Sequence, residues 1–201
     1  MLTTIFFLFT IFNLSYAETQ NTSGAWWGTF LNTNLKNDFN FWAETQLRYN
    51  SSKGQLGQIL YRTGILQTLN KNHNIGYLYG FIQSPISREH RLALQHSMKY
   101  SQSFSHRVRL EFRDLEDNDD EAYRFRYLVR YSKEKLLIWN ELFLNLKKTS
   151  WNGNKLTDRN RLFIGTHKKN EKFSYDIGYL NQFVDRGVKN YQHQLVIYLF
   201  F

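Results

Sequence analysis

The chain has no cysteine among its 201 residues, a single proline, and only one long apolar run, Leu2 to Leu14. Each scarcity excludes something. Without cysteine there is no disulfide scaffold and no thiolate-ligated zinc or iron–sulfur site. With one apolar run and a mean hydropathy of −0.55, a bundle of membrane helices is excluded, because each span needs ~20 apolar residues. Disorder is excluded by the opposite reckoning: 42% of the residues are hydrophobic and 17% aromatic, enough to bury surface. The length fits one domain.

The apolar run is too short for a stop-transfer helix. It ends in Ser15-Tyr16-Ala17, with small residues at the −3 and −1 positions of a cut before Glu18. That pattern predicts a secretory signal peptide over residues 1–17, cleaved after Ala17. No cysteine follows the cut, so no lipid anchor is expected.

Beyond the leader the dominant period is two. Over 38–49, Phe39, Phe41, Ala43, Thr45, Leu47 and Tyr49 face one way, and Asp38, Asn40, Trp42, Glu44, Gln46 and Arg48 the other. Strand side chains alternate between faces, so such a run is a strand with one apolar and one polar surface. The runs 106–115, 123–131 and 135–148 repeat the pattern. Others cover 56–69, 73–82, 90–100, 158–168, 172–183 and 191–201, with a weaker one at 26–33. From residue 50 onward the breakers alternate between short and longer, as in a meander with tight turns at one rim and longer loops at the other. The predicted fold is all-β, an antiparallel up-and-down transmembrane β-barrel over 38–201. Ten strands are expected, because bacterial single-chain barrels have even strand numbers. Twelve is the alternative, should the region around Trp26 and Trp27 form an extra hairpin. Segment 18–37 is expected to cap, plug or edge the barrel.

The charges sort by position. Eleven of the 13 arginines lie within the runs on the polar face, whereas the lysines gather at turns and strand ends. A solvated sheet face would mix lysine and glutamate freely. A guanidinium satisfies several acceptors through its planar fork, which suits an enclosed face. The expected luminal set is Glu44, Arg48, Arg62, Arg91, Arg107, Arg109, Glu111, Arg113, Arg124, Arg126, Arg130, Glu141, Arg159, Arg161 and Asp176. Eleven arginines against four acids leave a surplus of positive charge. It implies either a packed ion-pair network or a lumen that attracts anions. The apolar face would then meet lipid. Leu195, Ile197, Leu199 and the terminal Phe201 alternate on it, like the carboxy-terminal signal that outer-membrane barrels present to their assembly machinery.

Several islands resemble a family of bacterial outer-membrane barrels known as domain of unknown function 2490. They are Glu44-Thr45-Gln46-Leu47-Arg48, Arg62-Thr63-Gly64, the run from His106 to Arg113, and Arg124-Phe125-Arg126-Tyr127 with Arg130. Asn140-Glu141-Leu142-Phe143, Arg159-Asn160-Arg161-Leu162 and Gly178-Tyr179-Leu180-Asn181-Gln182 complete the set. The resemblance covers the whole mature chain. It implies a barrel and an outer-membrane location, and supplies no activity or catalytic residues.

Other motifs give less. The acidic stretch from Asp114 to Glu121 lacks the spacing and glycine of an EF-hand, and reads as a solvated loop. The six histidines form no H-x-x-H or HExxH pair. Ser97 beside His96 and Ser105 beside His106 point to opposite faces, so neither is a nucleophile–base couple. No G-x-S-x-G and no phosphate loop is present. The expected role is passive: a narrow anion-attracting channel or a structural barrel in the cell outer membrane, without cofactor or metal. The alternatives are a lipid-modifying barrel enzyme and a soluble exported lipocalin-like binding barrel. Expected partners are outer-membrane lipid and lipopolysaccharide, the barrel-assembly machinery and a small anionic solute. Export and the enclosed arginines argue against nucleic acid, and the barrel is expected to be a monomer.

Overall fold

The computed structural model describes residues 19–186 and 188–201. The expected leader, residues 1–17, lies outside them. Eleven strands are found among the described residues: β1 (Thr19–Lys36), β2 (Phe39–Asn50), β3 (Gln55–Asn70), β4 (His73–Ser84), β5 (Ser87–Lys99), β6 (Phe104–Leu115), β7 (Ala122–Lys133), β8 (Leu136–Asn145), β9 (Thr157–Lys169), β10 (Ser174–Arg186) and β11 (Val188–Phe200). Each pairs with its neighbour in sequence, and β1 closes the barrel on β11. Every strand has ten or more residues. A tilted strand of 9–11 residues spans a bilayer.

The closed up-and-down barrel is the architecture the sequence predicts; the strand number is eleven rather than ten or twelve. Within segment 18–37, β1 (Thr19–Lys36) takes the place of an added strand in the barrel wall rather than that of a plug or cap. An odd number closes here through one parallel ladder, with Trp27 beside Ile197 and Thr29 beside Leu199. Every other ladder is antiparallel. The even-number rule holds only where first and last strands meet antiparallel. β1 and β11 instead run the same way, so the chain enters and leaves the barrel at opposite rims.

One rim carries the carboxy terminus and the turns 37–38, 71–72, 100–103, 134–135 and 170–173. Asn37 and Asp38 both have positive φ, at 49° and 65°. That is the backbone of a two-residue turn matched to strand twist. The opposite rim carries the loops 51–54, 85–86, 116–121 and 146–156. The strict alternation of short and long connections is therefore not found. The gaps left between the expected runs at 73–82 and 90–100 and at 172–183 and 191–201 hold strand residues, since β4 runs to Ser84 and β5 starts at Ser87, around Pro85 and Ile86, while β10 runs to Arg186 and β11 starts at Val188. Their polar composition reads as a loop, but a strand end in water tolerates polar side chains as long as its ladder is kept.

The outward face carries the exposed large hydrophobics, among them Trp27, Leu47, Tyr61, Tyr77, Leu92, Leu110, Ile164 and Leu195. The interior holds two kinds of buried side chain. Trp26, Leu137, Trp139, Phe163, Leu180, Val196 and Tyr198 form an apolar cluster drawn from β1 and β8–β11. Arginines and acids fill much of the remainder.

Candidate functional site: the barrel interior

Alternation places one residue in two of each strand inside. On β6 the inward positions are Arg107, Arg109, Glu111 and Arg113, and on β7 they include Arg124, Arg126 and Arg130. Arg109 stands directly across the ladder from Arg126, and Glu111 from Arg124. On β2 and β3, Glu44 is opposite Arg62. On β8 and β9, Glu141 is opposite Arg161. All fifteen residues of the expected luminal set line the interior cavity or belong to the buried network around it.

The acids act as hubs. Glu111 receives the Arg124 guanidinium and Nη1 of Arg126 at 2.6 Å, with Arg109 at 3.7 Å. Glu141 holds Arg126 at 2.6 Å, Arg107 at 2.9 Å and Arg161 at 3.5 Å. Glu44 accepts from Arg62 at 2.8 Å, and Asp176 from Arg130 at 3.2 Å and His167 at 2.6 Å. Arg109 also donates to Gln95. Arg48 donates to Gln58 and Gln46, and no carboxylate of the described residues lies within ion-pair reach of it.

Sequence reasoning misses two acids. Glu89, assigned to a loop, is the first inward residue of β5, and it holds Arg91 at 2.7 Å and Arg113 at 2.6 Å. Asp158 sits where the β8–β9 register shifts: Thr157 pairs with Leu144 and Arg159 with Phe143. The shift makes Asp158 the unopposed residue of a bulge and turns it inward, fully buried, against Arg124 at 3.1 Å and Arg159 at 2.8 Å. Strict alternation would send it outward beside Arg159. Glu89 had a legible signal, its spacing of two from Arg91 on one strand face. Among the described residues the interior therefore balances eleven arginines against six carboxylates, and the positive surplus is smaller than expected but persists.

Aromatic rings share the guanidinium charge. The Phe143 ring has Arg126 at 4.5 Å, Arg161 at 4.6 Å, Arg124 at 5.2 Å and Arg159 at 5.5 Å from its centroid. Trp26 has Arg48 at 4.2 Å and Arg161 at 4.9 Å. Such contacts stabilise cations where water is scarce.

A cavity of ≈ 450 Å³ remains between these groups. It reaches the carboxy-terminal rim, where Asn70, Lys71, Asn72, Lys99 and Ser105 line it. The opposite end is filled. Leu60, Ile82, Arg113, Arg124 and Asn145 are almost fully buried there, and the 146–156 loop folds inward on Asn152, which is 0% exposed. Asn145 Nδ2 donates to the Asn152 and Lys155 carbonyls. Trp151 Nε1 donates to the Asp120 carbonyl at 2.8 Å.

Of the remaining sequence candidates, His73 and His106 also line the cavity. His73 and His96 meet at 3.1 Å, and His96 and His106 are ring neighbours at 6.4 Å. Among the described residues no group of three or more histidine or acidic side chains is placed to hold a metal ion. In the acidic stretch, Glu116 pairs with Arg88 and His90. Leu195, Ile197 and Leu199 share the outward face of β11. Phe201 is half-exposed, and its N–H and carbonyl bond to β1 at Phe30 and Asn32.

Residues 23–193 match the family described as "Protein of unknown function (DUF2490)", and the chain belongs to that family. No curated protein matches it. Among solved structures it is similar to the KdgM porin in complex with disordered oligogalacturonate. The TM-score is 0.52 at 12% identity, covering 76% of this chain and 81% of that one. It is also similar to the NanC porin, with a TM-score of 0.56 at 10% identity, covering 83% and 89%. At such identities the likeness establishes a shared porin-like barrel fold.

Proposed function

We propose that this protein is a passive outer-membrane barrel that forms a narrow, anion-attracting channel. The observation that carries the reading is the cavity of ≈ 450 Å³ open at one rim, set in an interior where, among the described residues, eleven arginines face six carboxylates. Low-dielectric walls focus that surplus into the lumen, and rings of arginine select for anions in pores. The similar KdgM porin was solved with an oligogalacturonate, a polyanion, which supports the same sign of solute. The turns at the carboxy-terminal rim are short, as at the periplasmic ends of outer-membrane barrels, so the cavity opens toward the periplasm. Lipid and lipopolysaccharide cover the apolar exterior, the assembly machinery reads β11, and the barrel is a monomer.

A second reading has its own observation. The end of the barrel opposite the carboxy terminus is packed with nearly inaccessible side chains, Arg113, Arg124 and Asn152 among them. A structural barrel without transport would look the same there. Reversal potentials of the refolded protein in a KCl gradient decide between them. Anion preference is the expected result, cation preference overturns the channel reading, and silence at all voltages favours the structural barrel.

A further inference from the structure

The cavity lining is both charged and apolar. Arginines line it from β2, β3, β5–β7 and β9, Arg107 and Arg130 among them, with the carboxylates of Glu141 and Asp176 between. Phe30, Leu128, Trp139, Tyr198 and Phe200 line it from β1, β7, β8 and β11. The apolar lining is continuous with the buried cluster behind it, where Trp139 stacks on Phe163 at 5.1 Å and Phe30 on Phe200 at 4.7 Å. We infer that the anion received here is an amphipathic organic acid, an aromatic or aliphatic body bearing one carboxylate. This inference rests on the anion-receiving reading above and names its ligand class.

The argument is one of matching surfaces. A carboxylate reaching the arginines gains charge-assisted bonds from guanidinium forks. Arg107 and Arg130 line the cavity with accessible side chains, 28% and 30% exposed. Each shares its carboxylate partner with another group: Glu141 also holds Arg126 and Arg161, and Asp176 is also hydrogen-bonded to the His167 ring. They can therefore turn to a ligand without stranding a buried acid. The body of the ligand meets aromatic and aliphatic side chains that reward apolar area. A uronic acid carries hydroxyls all round its ring. Against Phe30, Leu128, Trp139 and Phe200 those hydroxyls lose water and find no acceptor on the side chain they meet, which is unfavourable for each group so buried. A neutral aromatic meets the apolar lining and leaves the guanidiniums unanswered.

The test is calorimetric titration of the refolded barrel in micelles with 2-naphthoate, galacturonate and 2-naphthylmethanol, each corrected against protein-free micelles. The expected result is one saturable naphthoate site per barrel, with the other two probes weaker by about tenfold or more, the factor of one charged hydrogen bond. Arg107→Gln with Arg130→Gln weakens naphthoate by about tenfold, and Leu128→Asn weakens it several-fold, both in barrels that keep heat-modifiable gel mobility. Galacturonate or the alcohol binding as tightly as naphthoate overturns the inference, as does the absence of a saturable site. Wild-type probe selectivity needs no variant to fold. Conductance separates the two readings. Saturable naphthoate binding without any ion current overturns the channel and leaves the pocket. An anion current without naphthoate binding overturns the pocket and leaves the channel.

Discussion

The Arg113 guanidinium lies 4.6 Å from the centre of the Trp151 ring, and so ties the 146–156 loop to the inner wall of the barrel. Arg113 keeps a second anchor in Glu89 at 2.6 Å. Removing the ring should therefore free the loop without stranding the cation. Trp151→Ala is expected to lower stability by about 0.5–2 kcal/mol, the range of a cation–π contact, and to raise single-channel conductance by unblocking the filled end. An unchanged conductance in a correctly folded variant would show that the loop is not the obstruction.

Glu111 balances three guanidiniums, those of Arg109, Arg124 and Arg126, and its side chain is 1% exposed. Glu111→Gln leaves buried Arg109 without a carboxylate partner and Arg124 and Arg126 with one each, Asp158 and Glu141, and the expected destabilisation is about 3–5 kcal/mol. Glu116 has neighbours of its own, the Arg88 guanidinium and the His90 ring, but its side chain is 38% exposed and that of Arg88 59%. Glu116→Gln should change stability by less than about 0.5 kcal/mol. Urea midpoints of the two variants, read by the gel shift of folded barrel, make the comparison; equal midpoints would mean the interior is hydrated.

The same contrast shows what the sequence makes legible. Period two assigns Arg109, Glu111, Arg124 and Arg126 to one surface, because a strand has only two faces and the other is apolar. It also places strands near every position where they occur. It fails where the backbone breaks its own rule. Asp158 turns inward because a bulge adds one residue to β9. β1 closes the barrel although its polar stretch, Thr19 to Ser23, has no apolar alternation. Which guanidinium meets which carboxylate depends on register, and register is set by turns such as Asn37-Asp38 whose backbone geometry is weakly encoded. The cavity is a residue of packing, so no local pattern announces it.

Selectivity depends on which arginines are altered. Arg109 and Arg126 face each other across one ladder and are 1% and 5% exposed. Arg109→Glu with Arg126→Glu would bring two new buried carboxylates beside Glu111 and Glu141. This double variant is expected not to reach the heat-modifiable form. Arg107→Gln with Arg130→Gln removes the accessible pair, and leaves Glu141 its pairs with Arg126 and Arg161 and Asp176 its hydrogen bond with the His167 ring. That barrel should fold and show a lower anion-to-cation permeability ratio in a KCl gradient. A ratio equal to wild type would place the selective charge deeper, at residues such as Arg48 and Arg62.

The parallel seam has a direct chemical test, because the chain contains no cysteine of its own. Thr29 and Leu199 are register partners on the outward face. Neighbouring strands lie ≈ 4.7–4.9 Å apart, inside the Cα separation a disulfide accepts. Thr29→Cys with Leu199→Cys should cross-link in the oxidised barrel and give a circular chain of altered mobility on a denaturing gel. Thr29→Cys with Ile197→Cys is two residues out of register and should cross-link far less. Equal yields, or none for the first pair, would refute the parallel register.

Phe201 has a main-chain part in the seam and a proposed part, through its ring, in assembly, and one deletion confounds the two. Its main chain completes the seam: the N–H donates to the Phe30 carbonyl at 2.9 Å, and its own carbonyl accepts from the Asn32 N–H at 3.0 Å. Its ring is 53% exposed and lies 6.0 Å from Phe173, so the fold uses it little. A ring kept outward at the last position is what an assembly receptor could read. Phe201→Ala keeps both backbone bonds and removes only the ring. It is expected to leave the refolded barrel's melting point within a few degrees of wild type, because an exposed side chain away from the network contributes little. In cells it should sharply reduce the amount of barrel reaching the outer membrane. Deleting residue 201 removes the bonds as well, and should lower both quantities. If Phe201→Ala reaches wild-type levels in cells, the ring is not the signal; if it also refolds poorly in detergent, the defect lies in the seam.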